Sequence, residues 1–178
     1  MARTETQEDK DFQKGQEFQD FCMMQLRDFG IYIQFYGSRK NQYNIGESCN
    51  HIEVKLDEPC SKTHRLSIEI AERKRREGGG FNEWVKSGIY RNDNSIWYLQ
   101  GNYDYLALFE KRILVQYHKQ QKRKYHCEKY FPIDDPDLAT GRAFYVNFSM
   151  AAQIATQLWT PDKGWHMESN HLLRIDEE

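Results

Sequence analysis

What this chain lacks narrows its identity first. It has four cysteines among 178 residues, at positions 22, 49, 60 and 127. None stand in a Cys-x-x-Cys pair and no histidines follow at zinc-finger intervals, so they read as reduced thiols rather than a disulfide frame. A zinc site drawn from Cys49, His51, Cys60 and His64 would match no standard spacing. No apolar run approaches the roughly 20 residues a membrane span needs. The N-terminus is polar and acid-rich, unlike a secretory signal, and the expectation is a cytoplasmic protein. The formal charge is only −2. That excludes a surface coated in positive potential, and any nucleic-acid surface must come from local clustering. Repeats, a phosphate-cradling glycine motif and a nucleophile elbow are all missing.

What is present suits one globular domain: 39% hydrophobic residues and 14% aromatics are enough to bury a core. Residues 1–10 carry almost no apolar content and are expected to form a disordered tail, which leaves 11–178 as a single domain. From Asp11 to Phe29, Phe12, Phe18, Phe21, Cys22 and Leu26 recur at helical spacing, and Gly30 is a suitable stop. Ile31–Tyr36 and Gln42–Ile45 read as short strands. Later strands are expected at Ser87–Arg91, Ile96–Leu99, Tyr103–Phe109 and Phe144–Phe148. Helices are expected at Lys111–Lys122 and, capped by Ser149, from Met150 to about Leu158. Trp159, Trp165 and Leu172 give the tail apolar surface to pack back. The pattern is α/β (α+β), a mixed central sheet with flanking helices.

The chemistry centres on Glu47–Lys74. His51–Asp57 alternates strictly, with Ile52, Val54 and Leu56 on one face and Glu53, Lys55 and Asp57 on the other. The alternation resumes with Leu66, Ile68 and Ile70 opposite Ser67 and Glu69. A hairpin pairing Leu56 with Leu66, Val54 with Ile68 and Ile52 with Ile70 would set Glu53 against Glu69 and Lys55 against Ser67. Opposed carboxylates roughly 4.5–5.5 Å apart at Cβ repel unless a positive charge lies between them. Mg²⁺, a hard ion that keeps several waters, would serve and could activate one of them against a phosphodiester, with Lys55 stabilising charge on the phosphate or orienting or deprotonating the attacking water. The plain alternative is a solvated face of Glu53, Lys55, Asp57 and Glu69 held by modest ion pairs. Next come Arg73, Lys74, Arg75 and Arg76 and then Gly78–Gly80, a basic loop able to grip a phosphate backbone or to stand as an exposed turn. Phe81 and Trp84 would pin that loop or stack on bases. Lys119–Lys124 is a second basic run, placed at a helix end where it also complements the helix dipole.

With Gly46-Glu47, Ile52-Glu53-Val54-Lys55, the Glu69 strand and Ser87-Gly88-Ile89-Tyr90-Arg91, the chain resembles the PD-(D/E)XK nuclease superfamily, and small phage-borne members in particular. The resemblance covers about residues 12–119. It implies a restriction-endonuclease-like core and a Mg²⁺- or Mn²⁺-dependent endonuclease leaving a 5′-phosphate. It also implies DNA as the favoured substrate, two copies pairing to cut two strands, and work in a host cytoplasm. Carried over, Glu53 and Glu69 are the two acids. A second alignment makes Glu47 the first acid and Glu53-Val54-Lys55 the acid-x-lysine element. The implied metal ligands are Glu47, Glu53 and Glu69, with Glu17 from the first helix as an accessory. Where the family has lysine two residues beyond the second acid, this chain has Ala71. That departure keeps open a non-catalytic, nuclease-like protein that binds nucleic acid or a host protein.

Overall fold

Pro59 opens a single helical turn, Cys60–Thr63, and His64 closes it in the left-handed region at φ 53°. This connection carries the chain away from β1 (Ile52–Leu56) before β2 (Arg65–Glu72) begins. The expected hairpin therefore does not form. A tight two-residue turn would have returned the chain onto its own strand; the eight positions 57–64 instead deliver it to a second sheet. The computed structural model describes residues 7–36, 41, 45–76, 79–124, 127–131 and 134–167. With the Cys60–Thr63 turn labelled α2, the other elements are α1 (Gln7–Asp28), β3 (Val85–Lys86), a 3-10 turn at Gly88–Tyr90, β4 (Trp97–Gly101) and β5 (Leu106–Glu110). They continue with α3 (Lys111–Lys124), β6 (Glu128–Phe131), β7 (Gly141–Asn147), α4 (Phe148–Ile154), β8 (Gln157–Thr160) and β9 (Gly164–His166).

The strands form a five-stranded sheet in the order β1-β4-β5-β8-β9 and a four-stranded sheet in the order β3-β2-β7-β6. β1 runs parallel to β4, with Glu53 in register with Tyr98 and Lys55 with Gln100. The other pairings are antiparallel, including β2 with β7. The architecture is thus α+β with two sheets, in place of one mixed central sheet.

Side-chain alternation assigns the layers. Ile52 and Val54 of β1 join Leu99, Leu106, Leu108 and Trp159 in a core cluster with Phe18, Cys22 and Leu26 of α1. Tyr98, Ala107 and Phe109 point the other way and join Leu66, Ile68, Ile70, Phe144 and Val146 of the second sheet. Each fully buried Leu or Phe in these clusters contributes about 1.5–3 kcal/mol. Because Glu53 and Lys55 alternate with the apolar positions of β1, they fall on the side of Tyr98, where the two sheets meet.

Several boundaries differ from the sequence pattern. The first helix begins at Gln7, so residues 7–10 are helical, while residues 1–6 lie outside the described residues. Ile31–Tyr36 contributes only an isolated bridge, Phe35 to Ser48. Residues 42–44 of the expected second strand, and Leu172, also lie outside the described residues. Ser87–Arg91 holds a 3-10 turn instead of a strand. Gly88 there has φ +50°, and a Cβ on it would meet the Glu69 carbonyl oxygen at 2.2 Å, so the turn requires glycine. The cap of α4 is Asn147, whose side chain accepts from the Met150 amide at 2.7 Å, rather than Ser149.

Candidate functional site

Glu53 is fully buried, at 0% exposure, and two lysines answer its charge. Lys55 Nζ lies 3.1 Å from one carboxylate oxygen and Lys111 Nζ 3.7 Å from the other. Neither oxygen accepts a well-directed hydrogen bond among the described residues. Lys55 also lies 3.2 Å from Glu47 Oε1, and Lys111 lies 3.0 Å from Asp93. The second oxygen of Glu47 accepts from the Val54 amide at 2.9 Å and from the Gln19 side chain at 3.4 Å. Glu47 thus caps the outer edge of β1 with one oxygen while the other accepts from Lys55.

Glu69 acts electrostatically on the same ammonium from the other sheet. Ser87 Oγ donates to Glu69 Oε1 at 2.5 Å. Burial pushes the Glu69 carboxyl up; Lys55 and Ser87 pull it down, and Glu72 and Glu53 push it further up. For Lys55, burial opposes the charged form, yet Glu47, Glu53, Glu69 and Tyr98 together hold the ammonium well above the ordinary lysine range. Tyr98 is buried and its phenol is pushed up as well, first by burial and then by Glu53. The seam beside them is closed by Asp57 and Gln100, which satisfy the amide and carbonyl of Ser67 at 2.7 Å each.

The structure therefore brings Glu47, Glu53 and Lys55 into ion-pair contact and Glu69 into their electrostatic reach, by a route other than the expected pairing of Glu53 with Glu69. Glu17 is not part of the group: it is exposed and takes a hydrogen bond from Gln13 at 3.1 Å. The contribution of α1 is Gln19. Arg73 is not a free phosphate contact either, since its guanidinium donates to the carbonyls of Ala139 and Pro136 at 2.8 and 2.6 Å and lies over Phe81 and Trp84. Lys74, Arg75 and Arg76 are exposed. Ser87 and Tyr90, in the segment expected as a strand, support Glu69 and the buried His118, and Arg91 lies 3.5 Å from Asp93. Lys111, Asp93 and Tyr98 carried no sequence signal: Tyr98 meets Glu53 only through the parallel register, and Lys111 only because α3 starts directly after β5.

Among the described residues no three His, Cys, Asp or Glu groups come close enough to hold a metal ion together. The set Cys49, His51, Cys60 and His64 is therefore not assembled; Cys60 is buried, and burial pushes its thiol up to about 12. Glu47, Glu53 and Glu69, the ligands that the resemblance implies, are likewise not gathered as three around one ion; Glu47 and Glu53, which share Lys55, are the two carboxylates that could hold one.

The group opens on a cleft of about 610 Å³ whose lining includes Lys55, Glu69, Tyr98, Arg65 and Tyr145. No helix among the described residues is long and apolar enough to cross a membrane. No family model, curated protein or solved structure matches this chain.

Proposed function

We propose that the chain is a metal-dependent nuclease that hydrolyses phosphodiester bonds, with DNA the favoured substrate. The observation that carries this reading is the buried Glu53 beside Glu47, bridged by the ammonium of Lys55, which together with Glu69 lines an open cleft. Burying a carboxylate is costly unless it is paired, and such cost concentrates where chemistry needs it. Mg²⁺ or Mn²⁺ held by Glu47 and Glu53 would supply a counter-charge for a phosphate oxygen and a water of lowered pKa.

Lys55, held as an ammonium, stabilises charge on the phosphate and does not act as a base. Glu69 is the better proton acceptor, because burial has already raised its affinity for a proton. It takes the proton of the attacking water as the water oxygen bonds to phosphorus and the phosphorus–O3′ bond breaks, leaving a 5′-phosphate and a 3′-oxygen that takes its proton from solvent.

One observation favours a second reading. Lys55 already spans Glu47 and Glu53, and Lys111 faces the remaining Glu53 oxygen. A group neutralised internally in this way, with Ala71 rather than lysine beyond Glu69, suits a non-catalytic scaffold that binds nucleic acid or a host protein.

A cleavage panel decides between them. Single-stranded, duplex and branched DNA and RNA are incubated with Mg²⁺ or Mn²⁺ and with wild type, Glu53→Gln, Lys55→Ala and Glu69→Gln. The enzyme reading expects cleavage by wild type and a fall of at least about a hundredfold in Glu53→Gln. Absence of wild-type cleavage on every substrate, together with no Mn²⁺-dependent rise in Tm, overturns it.

A further inference from the structure

The cleft beside Lys55 is built differently from a duplex-binding groove. Its charged lining pairs Lys14, Lys55 and Arg65 with Asp57, Glu58 and Glu69, and Lys14 and Glu58 already neutralise each other at 3.0 Å. A surface that grips a duplex depends on many phosphate contacts from unpaired cations. Here Arg65 is the exposed cation that makes no ion pair among the described residues.

Arg65 is held flat. Its guanidinium lies 4.1 Å from the ring centroid of Tyr145, and both residues line the cleft. Tyr145 is 39% exposed and so is Phe131, another lining residue. Tyr145 sits on β7 and Arg65 at the start of β2, two paired strands, so the platform rests on rigid backbone. Exposed aromatic and guanidinium faces with little net charge suit stacking of unpaired bases. Stacked bases of a duplex offer no such faces.

We propose that the Arg65–Tyr145 platform, with Phe131, is a subsite for unpaired nucleotides, so that this protein takes single-stranded stretches or ends of nucleic acid rather than continuous duplex. The proposal rests on the nuclease reading for what happens at Lys55, but the subsite is defined by binding. An unpaired base on the platform places its phosphate toward Arg65 and the strand along the cleft to Lys55 and Glu69. With about one phosphate contact outside the ion-paired groups, affinity falls only about as the 0.7 power of salt concentration.

Binding of fluorescein-labelled oligo(dT), oligo(U) and a blunt duplex of matched length is measured by anisotropy in Ca²⁺, with wild type, Tyr145→Ala, Tyr145→Phe and Arg65→Gln. Wild type is expected to bind one or both single strands at least about tenfold more tightly than duplex. Tyr145→Ala should weaken that binding about five- to hundredfold, while Tyr145→Phe keeps it. Arg65→Gln, which leaves the strands intact, should weaken it severalfold and flatten the salt dependence. Duplex binding as tight as single-strand binding, wild-type affinity in both Tyr145→Ala and Arg65→Gln, or no binding at all overturns the proposal. Single-strand binding without cleavage in Mg²⁺ or Mn²⁺ overturns the nuclease reading alone, and cleavage confined to duplex overturns the subsite alone.

Discussion

Lys55 Nζ lies 3.1 Å from Glu53 Oε1, and the two side chains differ sharply in exposure, 29% for the lysine and none for the glutamate. The partly exposed cation therefore supports the fully buried anion. Removing it leaves Glu53 with Lys111 at 3.7 Å and Glu47 without its ammonium. Lys55→Met should lower the free energy of unfolding by about 3 kcal/mol, the range for breaking a buried pair. The double variant Lys55→Met with Glu53→Gln should recover part of that loss, because the fully buried carboxylate is then uncharged while Glu47 still lacks its ammonium. Urea unfolding of wild type, Lys55→Met, Glu53→Gln and the double variant measures the coupling, and additive losses would show that the pair is not linked.

Glu69 depends on Ser87 for one of the two interactions that hold its carboxyl down against burial. Ser87→Ala should therefore raise the pKa of Glu69 further, readable from the side-chain carboxyl carbon in a ¹³C NMR titration. If Glu69 accepts the proton in catalysis, the acid limb of the rate profile moves to higher pH in the same variant. A limb that stays in place while the NMR titration moves would assign the base elsewhere.

Much of this site is written in period-two patterns. Strict alternation through His51–Asp57 was enough to place Glu53 and Lys55 on one face, and the apolar spacing of Phe18, Cys22 and Leu26 was enough for the helix that covers the opposite face. The partner of β1 was not legible, because alternation says which face a residue takes and nothing about which strand lies beside it. Sequence proximity favoured β2, yet Pro59, the Cys60–Thr63 turn and left-handed His64 redirect the chain. β4, over forty residues away, takes its place. The grouping of Glu69 with Lys55 arises from two sheets meeting, which no local pattern encodes. Arg73 was ambiguous for a related reason: a guanidinium beside aromatics reads equally as a phosphate grip or an internal clamp, and only the carbonyls of Pro136 and Ala139, more than sixty residues on, decide for it.

That clamp gives a prediction opposite to a nucleic-acid role. Arg73 is half-buried, donates to two backbone carbonyls and lies 4.1 Å over Phe81 and 4.5 Å over Trp84. Arg73→Ala should cost about 2–3 kcal/mol of stability from the lost charged hydrogen bonds and ring contacts. Arg75→Ala, exposed and 5.4 Å from the Phe81 ring, should cost under about 1 kcal/mol. Measured well below either melting temperature, oligonucleotide affinity should be unchanged in Arg73→Ala. A selective loss of affinity with an unchanged Tm would restore Arg73 to the nucleic-acid surface.

His118 makes stability depend on pH in a defined direction. The ring is 2% exposed, lies 4.7 Å from Phe144 and has Nδ1 2.8 Å from the Tyr90 hydroxyl. Burial lowers its pKa from 6.5; Glu128 opposes the shift, and Lys122 and Arg142 reinforce it. As pH falls below 6.5 the unfolded chain takes up a proton that the folded chain refuses, so stability present above 6.5 is lost progressively down to the lowered folded value. Glu128, paired with Lys122 and Arg142 and lowered from 4.5, adds its own loss only below 4.5. Asp57 and Glu69, both raised by burial, act with the opposite sign, since their contribution is lost as pH rises through their folded values. Both carboxylates are common to wild type and His118→Gln, so the difference between the two proteins isolates the imidazole. Urea unfolding from about pH 8 down to about pH 5 should show wild type losing stability below 6.5 relative to His118→Gln. Parallel profiles would mean that His118 takes its proton equally readily in the folded chain.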